Sequence, residues 1–283
     1  MKKIIQRLLI FFIGLPLMAF IVLLPYYHHL AINIVVIIFS SLGAVEFAAI
    51  LKKKGLILST AEAAILGLIG PVAMTVAVSF DLNGQVMSAA FIIGACWLLV
   101  SRLLVPEEKL KDYTIRTAAG FSVMMYPGLF MVWIIRMTVL PRADMVILVF
   151  LLMVFANDSL AWLAGMLFGK NNRGIIAVSP NKSIAGFIGG LIAAVLAGIG
   201  GVLFVPQAFV SRNLPPIPVG ALLGFLTGAA GSLGDLAESA LKRSSGIKDS
   251  GSIIPGRGGV LDSIDSIALA APVFYVAYHI LFD

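Results

Sequence analysis

The chain has 283 residues, of which 60% are hydrophobic and only 12% charged, and its mean hydropathy is +1.05. Its apolar runs exceed what the core of a soluble protein of this length can bury, which excludes an ordinary soluble globular fold. The net charge of +6 requires no nucleic-acid partner, because enrichment of lysine and arginine on the cytoplasmic side of a membrane, beside an anionic inner leaflet, accounts for it.

Nine apolar stretches are long enough to be membrane-spanning helices, since about 18 or more apolar residues suffice to cross a bilayer. In chain order they are residues 8–26, 30–51, 56–80, 86–105, 117–140, 145–169, 184–205, 216–240 and 266–282. We therefore predict an all-α, polytopic integral membrane protein with about nine transmembrane helices. It forms a single membrane domain, 1–283, whose first part (1–141) has its charges mostly at span ends and whose second part (142–283) carries polar residues within the spans.

The first span follows Met1-Lys2-Lys3. Its apolar stretch is too long for a secretory signal and no small-x-small cleavage site follows, so we expect it to remain as an anchor. The lone Cys96 lies within a span and cannot form an intrachain disulfide.

Lysine and arginine placement predicts the orientation, because cytoplasmic loops carry the excess of these residues. With the N-terminus in the cytoplasm, 17 of the 20 cations fall on the inner side, and only Arg136, Arg142 and Arg212 fall outside. One missed or invented span before residue 170 would scramble this sorting. The polar segment 234–265 is then cytoplasmic.

The sixth span and the loop after it contain Asn157-Asp158 and, further on, Lys182-Ser183. Asp158 lies well within an apolar run, so we expect it to face the bundle interior, either at a functional site or as the partner of a buried arginine or amide. Gly165 to Lys170 is one residue too short for a phosphate-binding P-loop and lacks a preceding soluble strand. Lys182 is suited to contact a phosphate at a helix start, where Ser183 can cap the helix.

The eighth span contains Gly220, Gly224 and Gly228 at four-residue spacing, which predicts close packing against another helix. It continues into polar residues that share one helical face: Asp235, Glu238, Ser239 and Lys242. Glu238 and Lys242 are spaced either to pair with each other or to serve a site. Asp235 has no cation four residues away on either side, which favours a functional role.

The segment from Arg243 to Asp265 combines cations, glycines and carboxylates. Its turn around Arg257, Pro255-Gly256-Arg257-Gly258-Gly259, offers backbone amides that can wrap a phosphate. Asp262 and Asp265 lie one helical turn apart and, with Asp235, suit a Mg²⁺ ion that also takes substrate phosphates as ligands. The cations suited to neutralise phosphates are Lys242, Arg243, Lys248 and Arg257. An ordinary solvated loop would explain these cations, but not the carboxylates within helix ends.

Glu46 and Glu62 are further carboxylates within spans, and they either lean on Lys52 to Lys54 or line the cavity. The placement of the three histidines does not make a convincing zinc site, and no Ser-His-Asp set has a credible placement.

The C-terminal half resembles the phosphatidate cytidylyltransferase (CDP-diacylglycerol synthase) family. The family signature S-x-x-K-R, K-D, P-G-H-G-G and D-R-x-D is matched by Ser239 to Arg243, Lys248-Asp249, the Arg257 turn and Asp262 to Asp265. The family's upstream S-P-K-K-T-x-E-G is matched by Ser179 to Gly186.

The chain departs from this signature at several positions. Arg257 replaces the family's histidine, Ser263 an arginine, Ser183 a threonine and Ala185 a glutamate. Serine keeps the hydroxyl and arginine keeps a cation, whereas the roles of the lost arginine and glutamate do not carry over. The carboxylates and lysines remain.

The resemblance implies transfer of a cytidylyl group from CTP to phosphatidate, giving CDP-diacylglycerol and pyrophosphate for phospholipid biosynthesis. It implies Mg²⁺, alone or with a second, monovalent cation, held by Asp235, Asp262 and Asp265, with Asp249 as an additional ligand. Lys242 joins these aspartates as a catalytic residue. The substrate-binding set is Asp158, Lys182, Ser183, Ser239, Arg243, Lys248 and Arg257. The expected location is the inner cell membrane, with the active site facing the cytoplasm; glycine-lined spans and the resemblance are compatible with a homodimer.

Two other functions fit membrane aspartates. A CDP-alcohol phosphotransferase is disfavoured, because its D-G-x-x-A-R motif and the spaced aspartates that follow are absent. A transporter would use intramembrane carboxylates and glycine-broken helices, but nine spans do not divide into two equal halves and no internal repeat is visible.

Overall fold

The computed structural model describes residues 10–56, 58–101, 103, 110–174, 176–211, 214–254 and 256–282. These residues form helices, joined by turns and two isolated β-bridges. The α-helices are α1 (Leu15–Val22), α2 (Tyr26–Lys52), α3 (Thr60–Ser79), α4 (Gln85–Val100), α5 (Tyr113–Val123), α6 (Val132–Met137), α7 (Ala143–Phe168), α8 (Ile184–Phe204), α9 (Pro216–Ser244) and α10 (Leu261–Phe282). A π-helical turn, Met124–Leu129, lies between α5 and α6.

Seven helical segments in the described ranges are long and apolar enough to cross a membrane. They are α2, α3, the run Tyr113–Met137 that joins α5 to α6, and α7 to α10. The helices in the first and fourth predicted spans, Phe12–Val22 and Gln85–Val100, are shorter. The all-α polytopic prediction is confirmed, whereas the count of nine is not.

Some residues used in the sequence argument lie outside the described ranges. They are residues 8 and 9 of the first span, 104 and 105 of the fourth, Pro255 of the turn, and the cations Lys2, Lys3, Arg7, Arg102, Lys109 and Arg212.

The helices group into two compact units that do not follow the two parts of the sequence. The first unit contains the described residues up to Arg136 together with Ser244–Ile264. The second contains Met137–Arg243 and the described residues from Asp265 onward. The segment around Lys248 and Arg257 therefore packs with the N-terminal helices, and the boundary crosses α10 between Asp262 and Asp265.

Small residues bring α2 and α3 together in the first unit. A Cβ atom added at Gly67 would lie 2.4 Å from the Ala44 Cβ and 2.7 Å from the Ser40 carbonyl oxygen. Gly128, in the π-helical turn, packs in the same way, since its Cβ would lie 3.1 Å from the Gly67 carbonyl oxygen. Such backbone contacts are typical of helix pairs in lipid, where small residues permit close approach.

The second unit uses the predicted glycine row for the same purpose. A Cβ at Gly224 would lie 2.3 Å from the Ala194 carbonyl oxygen of α8, and one at Gly220 would lie 2.8 Å from that of Gly198. A Cβ at Gly228 would lie 2.6 Å from the Ala194 Cβ. The predicted close packing of this face is confirmed, and α8 is the helix against which it packs.

Two glycines of α8 provide a matched test of this packing. A Cβ at Gly198 would lie 2.2 Å from the Gly220 carbonyl oxygen, whereas a Cβ at Gly200 would meet only Phe204, at 3.8 Å. We expect Gly198→Ala to destabilise the protein by about 1–3 kcal/mol, as overpacking of a core does, and to lower its melting temperature in detergent. Gly200→Ala should leave the melting temperature unchanged or raise it, since alanine favours the helix. Equal melting temperatures for the two variants would contradict the proposed packing role of Gly198.

Candidate active site

Ser183 is the residue immediately before α8, and it connects this helix to the loop that follows α7. Its backbone is extended, and its Oγ accepts a hydrogen bond from the Gly186 amide at 3.1 Å, as a helix cap does. The predicted capping role is confirmed. The residue is buried, which places its hydroxyl inside the structure rather than at the surface.

Gly165 of α7 and Gly169, the residue that follows this helix, make room for the cap. A Cβ at Gly165 would lie 3.0 Å from the Ser183 Oγ, and one at Gly169 would lie 2.6 Å from it. Arg173 closes the loop by donating from its guanidinium to the Gly165 carbonyl oxygen at 2.9 Å. These two glycines therefore make space for the Ser183 hydroxyl rather than forming a phosphate-binding loop.

Lys182 forms an ion pair with Asp235, with 2.7 Å between its Nζ and the carboxylate Oδ2. The side chains remain 24% and 33% exposed, so both charges stay accessible to a ligand. The Lys182 ammonium also lies 5.6 Å from the centre of the Phe187 ring, and the Ser239 hydroxyl donates to Asp235 at 3.5 Å. Asp235 thus has a cationic partner, but on α8's N-terminal loop rather than on its own helix.

Asn157 and Asp158 face the interior of the second unit, as predicted. Asn157 is 1% exposed, and its amide donates to the Ser232 hydroxyl at 3.1 Å and to Asp158 at 3.3 Å. The Ser266 hydroxyl of α10 donates to the same Asp158 carboxylate at 3.4 Å. These contacts join α7, α9 and α10 through polar side chains within an apolar bundle.

Asp265 is brought close to this network because α9 lacks a side chain at Gly234. A Cβ there would lie 2.4 Å from the Asp265 carbonyl oxygen, so the two backbones touch. The Asp265 carboxylate accepts a hydrogen bond from the Ser266 amide at 2.6 Å, and the charges of Asp158, Asp235 and Lys242 act on it. Three carboxylates in one region repel each other, which favours the binding of a cation.

A cavity of about 440 Å³ opens beside these groups in the second unit. Its polar lining comprises Asn157, Asp158, Arg173, Asn181, Lys182, Ser183, Ser232 and Asp235. Its less polar lining includes Trp162, Met166 and Phe187. The cavity therefore combines cations and carboxylates with an apolar wall, which suits a phosphate group attached to an apolar or aromatic body.

Glu238 and Lys242 pair with each other across one turn of α9, so the simpler of the two predicted roles is observed. Glu238 is fully buried and the Lys242 side chain is 13% exposed. The ion pair gives Lys242 a structural partner and leaves less of its charge for a substrate. Arg243, the next residue, is exposed.

The segment around Arg257 lies in the first unit and differs from its predicted form. The amides of Ser250 and Gly259 donate to the Asp262 carboxylate at 3.0 and 2.7 Å, and those of Val260 and Leu261 donate to Glu46 at 3.0 and 2.8 Å. Within the predicted turn, the Gly259 amide donates to Asp262, and the amides of Arg257 and Gly258 donate to the Ile254 carbonyl oxygen. The prediction that the amides of this turn wrap a phosphate is therefore wrong for these three groups.

The charged residues around this turn lie at the surface. Lys248, Asp249 and Arg257 are all exposed, while Ser250 and Gly259 between them are buried. Gly256 and Gly258 have positive φ angles of 77° and 115°, which a side chain would strain, so the turn requires these two glycines. The segment therefore presents its cations outward from a fixed turn.

The predicted site residues thus fall into two groups. The second unit contains Asp158, Lys182, Ser183, Asp235, Ser239, Lys242, Arg243 and Asp265; the first contains Lys248, Asp249, Arg257 and Asp262. Among the described residues, no three histidine, cysteine, aspartate or glutamate side chains are arranged to hold one metal ion. Sequence reasoning missed Arg173 as a lining residue and left the role of Glu46 open.

Comparison with known proteins identifies the family of the chain. The model of a family described as the cytidylyltransferase family matches residues 5–281. The phosphatidate cytidylyltransferase of Haemophilus influenzae is 44% identical over 128 residues, which cover 45% of this chain and 43% of that protein. Those of Staphylococcus haemolyticus and Synechocystis sp. are 42% identical over 125 residues and 37% identical over 122 residues. The Staphylococcus haemolyticus match covers 44% of this chain and 45% of that protein. The Synechocystis match covers 43% of this chain and 39% of that protein. The chain thus spans less than half the length of these curated relatives in the matched regions.

The buried pair in α9 allows a stability test. Lys242→Met leaves the Glu238 carboxylate buried without its partner, which should cost about 3–5 kcal/mol and lower the melting temperature. The double variant Lys242→Met with Glu238→Leu removes both charges and should recover much of this loss, since an apolar pair avoids desolvation of the ions. A single variant as stable as the native protein would show that the pair does not hold the helix end in place.

Proposed function

Because the chain belongs to the cytidylyltransferase family, we propose that it transfers a cytidylyl group from CTP to phosphatidate, giving CDP-diacylglycerol and pyrophosphate. The observation that carries the proposal is the family match across residues 5–281, which includes every predicted site residue. The relatives are named phosphatidate cytidylyltransferase, and that name supports phosphatidate as the lipid substrate. The product is an activated lipid for phospholipid biosynthesis.

The membrane helices and the cation pattern support a location and a direction for this reaction. The protein is a multi-pass membrane protein, and we place it in the inner cell membrane with its active site facing the cytoplasm. The loop that carries Lys182 and the segment that carries Lys248 and Arg257 both belong to the cation-rich side of the sequence. This orientation lets a soluble nucleotide meet a lipid phosphate at the bilayer surface.

The chemistry requires positioning and charge neutralisation more than a protein nucleophile. An oxygen of the phosphatidate phosphate attacks the α-phosphorus of CTP in line, the bond to the β-phosphate oxygen breaks, and pyrophosphate leaves. The attacking oxygen is already ionised, so no residue needs to remove a proton. Fixed cations beside the phosphates lower the barrier because negative charge shifts to the leaving group.

The charged side chains have distinct roles in this proposal. In the cavity, Lys182 binds a substrate phosphate, with Arg173 at the same wall. In the first unit, the exposed cations Lys248 and Arg257 are suited to bind phosphates of the nucleotide, and exposed Arg243 at the end of α9 is a further phosphate-binding candidate in the second unit. Lys242 acts mainly through its pair with Glu238, which orders the end of α9 next to Ser239.

The carboxylates fit Mg²⁺ in part. Asp235 and Asp265 provide hard oxygen ligands near the cavity, and Mg²⁺ in such sites is commonly held by one or two carboxylates plus substrate phosphates. That arrangement agrees with the lack of a three-ligand cluster among the described residues. One oxygen of Asp262 already accepts from the Ser250 and Gly259 amides, so Asp262 and exposed Asp249 are the weaker candidates. When bound, the ion would neutralise phosphate charge.

A direct assay tests the proposed reaction. Purified protein in detergent, supplied with CTP, phosphatidate and Mg²⁺, should release pyrophosphate and form a nucleotide-bearing lipid in equal amounts. Omitting phosphatidate should abolish both products, because the lipid supplies the attacking oxygen. Absence of product across a range of divalent and monovalent cations, together with solute uptake by proteoliposomes, would support a transporter instead.

The carboxylate roles are tested by neutral substitutions. Asp235→Asn and Asp265→Asn should each lower turnover by about a hundredfold or more, because each removes a charge that holds a cation or orients a phosphate-binding lysine. Asp81→Asn is the matched control: Asp81 is exposed in a turn with φ of 49°, a conformation that asparagine adopts readily. Near-native turnover in both test variants would rule out these two residues as the metal site.

A further inference from the structure

Glu46 is a buried carboxylate in α2, far from the family signature in sequence. It lies six residues before Lys52, the end of the helix, and is only 6% exposed. A carboxylate buried in an apolar helix is costly unless hydrogen-bond donors surround it. The hydrogen-bond donors to Glu46 therefore indicate the role of this carboxylate.

All of the observed donors to Glu46 come from the segment that contains the Arg257 turn. Its Oε1 accepts from the Val260 amide at 3.0 Å, and its Oε2 accepts from the Leu261 amide at 2.8 Å. The Ser250 hydroxyl lies 2.9 Å from the same Oε2. Leu261 is the first residue of α10, so Glu46 also places a negative charge at the positive end of that helix.

Ser250 connects this carboxylate to Asp262. Its hydroxyl lies 2.9 Å from the Asp262 Oδ2 as well as 2.9 Å from Glu46, and its amide donates to that Asp262 oxygen at 3.0 Å. The start and the end of the segment from Ser250 to Asp262 are thereby tied together at one point. Glu46 attaches that point to the membrane helix α2.

Two glycines of the segment are fitted to this contact. A Cβ at Gly251 would lie 2.4 Å from the Glu46 Oε1, and a Cβ at Gly259 would lie 2.2 Å from its Oε2. Either side chain would displace the carboxylate from the amides that it accepts. The glycines therefore permit close approach of the backbone to Glu46, in addition to forming the turn.

We propose that Glu46 is a positioning residue for the nucleotide: it holds the Lys248 to Asp262 segment so that the exposed cations Lys248 and Arg257 meet the phosphates of CTP. This inference rests on the proposed function for its substrate, but the anchoring itself does not. Glu46 touches no substrate and acts through the backbone of the segment. Its loss should weaken CTP binding before it unfolds the helices, because its three contacts are all made with this one segment.

The test replaces Glu46 by an isosteric neutral residue. In Glu46→Gln one carboxylate oxygen becomes an NH2 group that faces a donating backbone amide, so the hydrogen bond on that side is lost with little change in volume, while the remaining oxygen still accepts on the other side. We expect the KM for CTP to rise about tenfold or more, since small misplacements of binding groups cost up to about a hundredfold. The KM for phosphatidate should change less than twofold.

Glu62→Gln is the matched control. Glu62 lies in the first turn of α3 in the same unit, and its backbone amide donates to the cap Ser59. This variant should keep the native KM for CTP. A purely structural role for Glu46 would lower the fraction of active enzyme, and so reduce kcat while both KM values stay native; that result would overturn the proposal.

A second measurement reports on the segment without activity. Trypsin should cleave after exposed Lys248 and Arg257 faster in Glu46→Gln than in the native protein or Glu62→Gln, with the sites identified by mass spectrometry. Ser250→Ala should have a similar effect, and the double variant should add little, because both residues act on the same tie point.

The two measurements separate the possible failures. If the native protein makes no CDP-diacylglycerol, the proposed function is wrong, while faster cleavage in Glu46→Gln still supports the anchor. Unchanged cleavage in Glu46→Gln and Ser250→Ala, with a native KM for CTP, would overturn the anchor. Faster cleavage with a native KM for CTP would show that Glu46 holds the segment without positioning it for the nucleotide.

Discussion

Each carboxylate that enters the apolar part of this protein must find a donor or a cation, and the arrangement of the site follows from that requirement. Water cannot solvate such a group within the bundle. Burying a neutral polar group without a hydrogen bond already costs about 2–7 kcal/mol, and burying an unpaired charge costs more. Asp235 is paired with Lys182, Glu238 with Lys242, and Glu46 with backbone amides. These pairs determine which cations remain for phosphates and which are already engaged.

Glycines complement this electrostatic requirement by letting polar groups reach each other. Gly165 and Gly169 make space for the Ser183 hydroxyl. A Cβ at Gly190 would lie 2.9 Å from the Asn157 side-chain oxygen, so only glycine permits that approach, and Gly259 makes space for Glu46 in the same way. Helix packing in lipid depends on small residues in any case. Here the same residues also admit the polar network, so the packing of the bundle and the geometry of the candidate site are set together.

The family of the chain and the chemistry of its cavity both agree with the proposed reaction. The family match identifies a cytidylyltransferase, and the cavity pairs cations with carboxylates beside Trp162 and Phe187. Neither unit alone carries the full set of predicted residues, since Asp265 and Lys182 belong to one and Asp262 and Lys248 to the other.

Sequence alone determined what depends on composition and local spacing: membrane helices, the faces of α9 and the Ser183 cap. It also offered the Glu238–Lys242 pair, which lies within one helical turn, as one of two roles for those residues. Those features involve neighbours in the chain, and helix geometry dictates them. Only the tertiary structure decided the long-range partners. Lys182 meets Asp235 from another helix, and Ser250 meets Glu46 although 204 positions separate them. No periodicity encodes such contacts, because the folding of the whole bundle, rather than one helix, brings those atoms together.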